Sequence, residues 1–205
     1  MKHALLIFTK NLEEGKVKTR LAATIGTSAA LSVYKELLLH TERNVRGVKA
    51  NMTVLYSDYI AAGDMWDENS YSKAVQRGAD LGERMRNAIY NAIARGNKRV
   101  AVIGSDCLQL TEEIIDESFR QLEYHDIVIG PAEDGGYYLI AMKSLHEDLF
   151  RNMVWSTSEV LKDTLSRCRD LNLSVYCLQE FNDIDTEADL IKASGKLFYG
   201  KETHD

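Results

Sequence analysis

The hydrophobic pattern switches along the chain between short continuous apolar runs and longer stretches in which apolar residues return every three or four positions. Ala4-Leu5-Leu6-Ile7-Phe8, Met52-Thr53-Val54-Leu55-Tyr56, Val100-Ala101-Val102-Ile103, Asp126-Ile127-Val128-Ile129-Gly130, Tyr137 to Met142 and Ser174 to Leu178 are runs of the first kind. They do not alternate with polar residues, so they predict strands buried on both faces, as in a parallel sheet. Lys73-Ala74-Val75-Gln76 predicts a further short strand. Between the strands lie helical stripes. Thr27 or Ser28 opens one that carries Ala30, Tyr34, Leu37, Leu38 and Val45 and ends at Gly47. Asp80 and Glu83 have capping-box spacing before Leu81, Met85, Ala88, Ile89 and Ala92, and Gly96 closes that helix. Thr111 caps a third helix with Ile115, Phe119 and Leu122 on its core side; Ser158 to Arg169 predicts a fourth; Thr186 and Asp189 cap the last. Residues 10–20 read as a loop, residues 58–72 have no clear period, and residues 196–205 read as a tail. Strands alternating with helices predict a single α/β domain over residues 1–195, three-layered with a mostly parallel central sheet.

Composition narrows the function. The chain has 205 residues, 45% apolar and 27% charged, with a net charge of −6 at pH 7. That balance argues against a general nucleic-acid or anionic-membrane binder. Cys107, Cys168 and Cys177 have no metal-ligand spacing, and their odd number suits reduced thiols in a cytoplasmic protein. Cys107 adjoins Asp106 but has no histidine nearby in sequence, so it reads as a small residue at a strand end rather than a nucleophile. The five histidines are scattered. The first apolar run is too short for a secretory signal core, and no stretch approaches a membrane span.

Four clusters carry candidate chemistry. The first is the loop Lys10 to Arg20, which sets Lys10, Lys16, Lys18 and Arg20 around Gly15 after the first strand. Cations around one glycine suit a polyphosphate, because the backbone can approach it and the charge is neutralised. It is not a P-loop, since Lys10 stands where that motif needs its first glycine. A solvated charged loop is the competing reading. The second cluster is Asp106, presented at the carboxyl end of the Val100–Ile103 strand, the edge at which open α/β sheets bind ligands. Mg²⁺ is commonly held by one or two carboxylates plus phosphate oxygens, and Asp106 can supply one. The third is Asp183-Ile184-Asp185-Thr186. It matches the D-x-D-x-T of aspartyl-phosphate phosphatases but lies near the C-terminus instead of ending a first strand, so that reading is rejected. Thr186 serves as a cap and leaves two acids for a metal or ligand. Glu133-Asp134-Gly135-Gly136 joins acids to a tight turn, and Tyr137 and Tyr138 alternate so that at most one faces a pocket.

Gly15 to Leu21, Asp80-Leu81-Gly82-Glu83-Arg84, Gly104-Ser105-Asp106, Glu133 to Tyr138 and Asp183 to Thr186 occur in the order found in a bacterial family, the domain of unknown function 2064. The chain resembles that family over roughly residues 3 to 194. Members are usually labelled glycosyltransferases. They belong to the nucleotide-diphospho-sugar transferase superfamily, with the molybdenum-cofactor and phospholactate guanylyltransferases. Family prolines are replaced here at Leu12, Glu14, Leu108 and Glu187, while every charged position is kept. The resemblance implies the glycosyltransferase-A fold. It implies Asp106 and Asp185 as ligands of Mg²⁺ or Mn²⁺, and phosphate binding by Lys10, Gly15, Lys16, Lys18 and Arg20. Gln76 and Gly78 would lie near the nucleotide, and Asp134, Gly135 and Gly136 at the acceptor or sugar. Asp106, Asp134 and Lys18 would carry the chemistry. The partners implied are a nucleotide or nucleotide sugar and a small acceptor. Glycosyl transfer is slightly favoured by the family label. Nucleotidyl transfer with pyrophosphate release is favoured by the basic loop, and a non-catalytic nucleotide-sugar sensor is the third reading.

Overall fold

A computed structural model describes residues 3–198. Seven strands form one sheet: β1 (His3–Thr9), β2 (Asn51–Tyr56), β3 (Ser72–Val75), β4 (Arg99–Ile103), β5 (Ile127–Pro131), β6 (Tyr137–Met142) and β7 (Val175–Cys177), in the order β3-β2-β1-β4-β6-β5-β7. All neighbours are parallel except β6, which runs antiparallel between β4 and β5. The reversal follows from connection length. The short turn between β5 and β6 cannot make a parallel crossover, which needs a dozen residues or more.

The continuous apolar runs are explained by burial on both faces. Leu5 and Ile7 of β1, with Ala101 and Ile103 of β4, point to one layer; Ala4 and Leu6, with Val100 and Val102, point to the other. The first layer is closed by α2 (Thr27–Val45) and α4 (Glu112–Gln121), through Val45, Ile115 and Phe119. The second is closed by α3 (Leu81–Ala94) and α5 (Val160–Asp170), through Met85, Ile89 and Cys168. A third cluster, in which Tyr34, Leu37 and Leu38 of α2 meet Val17, Leu108 and Ile184, lies over the carboxyl end of the sheet. This is a three-layer α/β/α domain.

Three local features go beyond the pattern. The basic loop ends in a seven-residue helix, α1 (Thr19–Ile25), where the sequence predicts loop up to Arg20. Of residues 58–72, which lack a period, all but Ser72 at the start of β3 lie outside regular structure, and polar contacts at Asp64 hold them. Asp64 accepts from Tyr56 Oη and, at 2.8 Å, from Lys73 Nζ, while Trp66 is buried edge-on to Tyr71. The last helix, α6 (Glu187–Phe198), continues past position 196, where the tail was expected; residues 199–205 lie outside the described residues. No described helix is long and apolar enough to cross a membrane.

Candidate active site

The strand order reverses beside β1. The chain moves outward from β1 to β2 and β3, then returns to place β4 on the other side. At such a switch point the loops leaving the carboxyl ends of two adjacent strands diverge and leave a crevice. A cleft of about 850 Å³ opens there. Lys10, Lys18 and Arg20 line it from the loop after β1, Gln76 from the end of β3, and Ser105 and Asp106 from the end of β4. Asp134 and Gly136 line it from the β5–β6 turn, and Asp183 and Asp185 from the segment before α6.

Asp106 and Asp185 meet through backbone pairing. Cys107 and Asp183 form an antiparallel bridge, and Ile184 N–H donates to the Asp106 carbonyl at 3.2 Å. Ile184 is buried in the cluster formed with α2, which anchors this segment. Between the two carboxylates stands the Lys18 ammonium, 2.7 Å from Asp106 Oδ2 and 2.9 Å from Asp185 Oδ1. The Lys18 side chain is only 5% exposed. Its backbone is left-handed, with φ 45° and ψ 48°, at the N-cap of α1. That conformation is uncommon outside glycine and costs on the order of 1–3 kcal/mol. It is held by Val17 and Leu21, both buried beside it. Burial pulls the Lys18 pKa down, but the charges and hydrogen bonds of Asp106 and Asp185 outweigh it and hold the ammonium above its ordinary value. The competing reading of a solvated charged loop does not hold at Lys18, because two acids distant in sequence enclose it.

Asp183 sits deeper. Its Oδ1 is buried without a hydrogen-bond partner. Burial, then the like charge of Asp106, and then Asp134 and Asp185, push its carboxyl well above the ordinary aspartate value against the pull of Lys18. Burial also pushes the Cys107 thiol up to about 12, which removes it as a nucleophile. Tyr34 fastens the floor. Its hydroxyl accepts from Lys10 N–H at 2.8 Å and lies within hydrogen-bond reach of Thr9 Oγ1 and Ser105 Oγ. Gln76 donates to the carbonyls of Leu55 and Thr9, which ties the end of β3 to β2 and β1.

Four expected positions lie outside the cleft lining: Gly15, Lys16, Gly78 and Gly135. Lys16 is turned to solvent, 69% exposed, and pairs with Glu13 at 2.6 Å. Gly135 is a packing residue. A Cβ on it would stand 2.1 Å from the Ser158 carbonyl oxygen, and its own carbonyl accepts from Leu161 N–H at the start of α5. Tyr137 borders the cleft and packs into the core layer under α5, whereas Tyr138 stacks on Phe181 on the other face of the sheet and donates to the Gln179 carbonyl.

The sequence reading missed the far wall, built from Leu81, Arg84, Trp155, Ser156, Thr157 and Ser158. Segment 152–158 bends through left-handed residues Asn152 and Ser156 and lays the Trp155 indole on Gly82. A Cβ at Gly82 would come within 2.5 Å of that ring, which accounts for a glycine inside the first turn of α3. The signals were present in the Asp80 to Arg84 motif and the Trp-Ser-Thr-Ser run, but nothing local connects them.

Among the described residues, no three His, Cys, Asp or Glu side chains form a metal-ligand group. Two carboxylate oxygens do converge on the point occupied by Lys18 Nζ, with the unpartnered Asp183 carboxyl behind them. Two protein carboxylates completed by phosphate oxygens and water are a donor set that suits Mg²⁺ or Mn²⁺, so the residues present fit such an ion.

Comparison with known proteins places this fold. The model of a family described as an uncharacterized protein conserved in bacteria (DUF2064) matches residues 43–157. A candidate nucleotide-diphospho-sugar transferase from Desulfovibrio desulfuricans G20 is 30% identical; the match covers 99% of this chain and 92% of that one, with a TM-score of 0.86. The 4-diphosphocytidyl-2C-methyl-D-erythritol synthase of Anaerococcus prevotii shares the fold at 12% identity, covering 96% of each chain with a TM-score of 0.59. So does Rv0371C of Mycobacterium tuberculosis H37Rv, solved in complex with manganese, at 12% identity, 94% and 97% coverage and a TM-score of 0.56. A comparison with curated proteins finds no match.

Proposed function

We propose, on the premise that the chain belongs to the bacterial DUF2064 family, that it transfers a sugar from a nucleotide diphosphate sugar to a small hydroxylated acceptor. Its kinship makes the chain a transferase of the nucleotide-diphospho-sugar transferase type; the group transferred is the proposal. The observation that carries it is the division of the cleft. One part carries Lys10, Arg20 and the Lys18–Asp106–Asp185 cluster; the far wall is Trp155 and the hydroxyls of Ser156–Ser158 beside a single cation, Arg84, with Asp134 nearby. Charge suits a diphosphate, and an aromatic wall rimmed by hydroxyls suits a sugar ring and its acceptor.

In this reading Lys10 and Arg20 bind the diphosphate and stabilise the charge that grows on it as the glycosidic bond breaks. Asp106 and Asp185 would hold Mg²⁺ or Mn²⁺, which when bound supplies further neutralisation of the leaving diphosphate. Asp134 has one carboxylate oxygen engaged by Gly136 N–H at 2.8 Å. That bond orients the carboxylate, and its second oxygen takes the proton of the acceptor hydroxyl. The free thiols Cys107, Cys168 and Cys177 suit a cytoplasmic setting, where nucleotide sugars are available.

A second reading, nucleotidyl transfer from a nucleoside triphosphate, is favoured by Arg84, a fourth cation on the cleft besides Lys10, Lys18 and Arg20. The test is product analysis. The protein is incubated with nucleotide sugars, Mg²⁺ or Mn²⁺ and pooled small acceptors. A nucleoside diphosphate together with a glycosylated acceptor is expected. Pyrophosphate released from a triphosphate would establish the second reading instead. Tight binding without either product would make the protein a sensor.

A further inference from the structure

We propose that Lys18 holds the place of the divalent cation in the ligand-free protein. Its ammonium must leave before the ion enters, so ion and phosphate bind together rather than singly. The proposal depends on the function above only for the identity of the phosphate compound. Lys18 Nζ lies 2.7 Å from one oxygen of Asp106 and 2.9 Å from one of Asp185. Mg²⁺ binds its oxygens at about 2.0–2.1 Å. An ion shared by those two oxygens would therefore occupy the volume that now contains the ammonium, and two cations cannot share it.

The fold provides for the exchange. Two carboxylates that share one ammonium would repel without a cation between them; the lysine is buried, 5% exposed, while Asp106 and Asp185 open to the cleft at 31% and 39%. Lys18 compensates them while no ligand is bound. Its backbone is clamped between buried Val17 and Leu21 in a left-handed conformation, so movement must come from side-chain rotation. Lys18 lines the same cleft as Lys10 and Arg20. A diphosphate arriving there offers the ammonium new acceptor oxygens as it gives up the two carboxylates. The ion takes up the acids, and the lysine adds to the phosphate contacts. Either ligand alone would have to leave one set of charges uncompensated.

The test measures Mn²⁺ retained by the protein in equilibrium dialysis, alone and with inorganic pyrophosphate, with no turnover involved. For the unmodified chain, Mn²⁺ alone is expected to bind weakly, and pyrophosphate to tighten it by about 5- to 150-fold, the usual range of coupling between two ligands. Lys18→Met is expected to bind Mn²⁺ alone about tenfold more tightly than the unmodified chain, and to lose most of the coupling, because the acids are then open. Lys18→Gln, which keeps a hydrogen-bond donor without the charge, is expected to shift the same way. Mn²⁺ affinity unchanged or lowered in both variants, each folded by circular dichroism, would overturn the proposal. If neither variant folds, the unmodified chain decides: Mn²⁺ bound as tightly alone as with pyrophosphate overturns it, and pyrophosphate-dependent binding supports it. Mn²⁺ binding alone involves neither nucleotide nor acceptor, so the reaction assigned above can fail while this result stands.

Discussion

The basic side chains at positions 16 and 20 are equally exposed, 69% and 68%, but face different partners, and they should respond differently to removal. Arg20 lines the cleft and reaches within 3.7 Å of Asp185, whereas Lys16 pairs with Glu13 in solvent. Charge-assisted hydrogen bonds are worth about 1.5–3 kcal/mol, so Arg20→Ala is expected to weaken nucleotide binding by roughly ten- to a hundredfold. Lys16→Ala is expected to leave it unchanged. Calorimetric titration of the two variants checks both, and equal losses would return the loop to a diffuse field of charge. Gly82 offers a second contrast. Gly82→Ala pushes its new methyl into the Trp155 ring, and overpacking of this kind costs about 1–3 kcal/mol. The expected result is a lower melting temperature with a changed tryptophan emission, since Trp155 is one of two tryptophans and Trp66 is fully buried elsewhere.

At the scale of elements, local capping is clearest at the two helix starts where the sequence predicts capping boxes. Asp80 Oδ1 accepts from Glu83 N–H at 2.8 Å, and Glu83 reaches back to Ala79 N–H at 2.9 Å. Before α6, Asp189 accepts from Thr186 N–H and its hydroxyl, while Thr186 Oγ1 accepts from Asp189 N–H. Loss of such a cap costs about 1 kcal/mol, so Asp80→Ala is expected to lower the unfolding free energy by that amount, read as a lower denaturant midpoint at unchanged slope. The edge pair β5 and β7 carries an acid clip. Asp126 Oδ2 accepts from Ser174 N–H at 3.0 Å and Ser174 Oγ at 2.6 Å. Those donors, the hydroxyl first, hold its carboxyl below the ordinary value of 3.8. Near and below that value the folded chain binds fewer protons than the unfolded one. The contribution is therefore complete above pH 3.8 and lost as the pH falls through the lower folded value. Stability measured down through this range should fall less steeply in Asp126→Asn; identical profiles would show that the clip contributes nothing.

At the scale of the molecule, the sheet carries the stability and its carboxyl edge carries the candidate site. Phe119 is 1% exposed beneath the sheet, with its ring 4.5 Å from that of His3. Phe119→Ala is expected to cost about 3–5 kcal/mol and to be read as loss of a cooperative melt, with no change of substrate preference in what remains folded. The sequence by itself determined the α/β class, the seven strands, the capped helices and the edge of the sheet where acids and cations gather, because burial on two faces and capping each leave a short-range pattern. It could not reveal that β6 runs antiparallel between β4 and β5, that polar contacts at Asp64 hold residues 58–71, or that Trp155 lies on Gly82. Above all it could not show which cation lies between the acids: Lys18 meets Asp106 and Asp185 across 88 and 167 positions. Those contacts are set by a strand order and by one backbone bridge between Cys107 and Asp183, which no periodicity records, and so only the tertiary structure decided them.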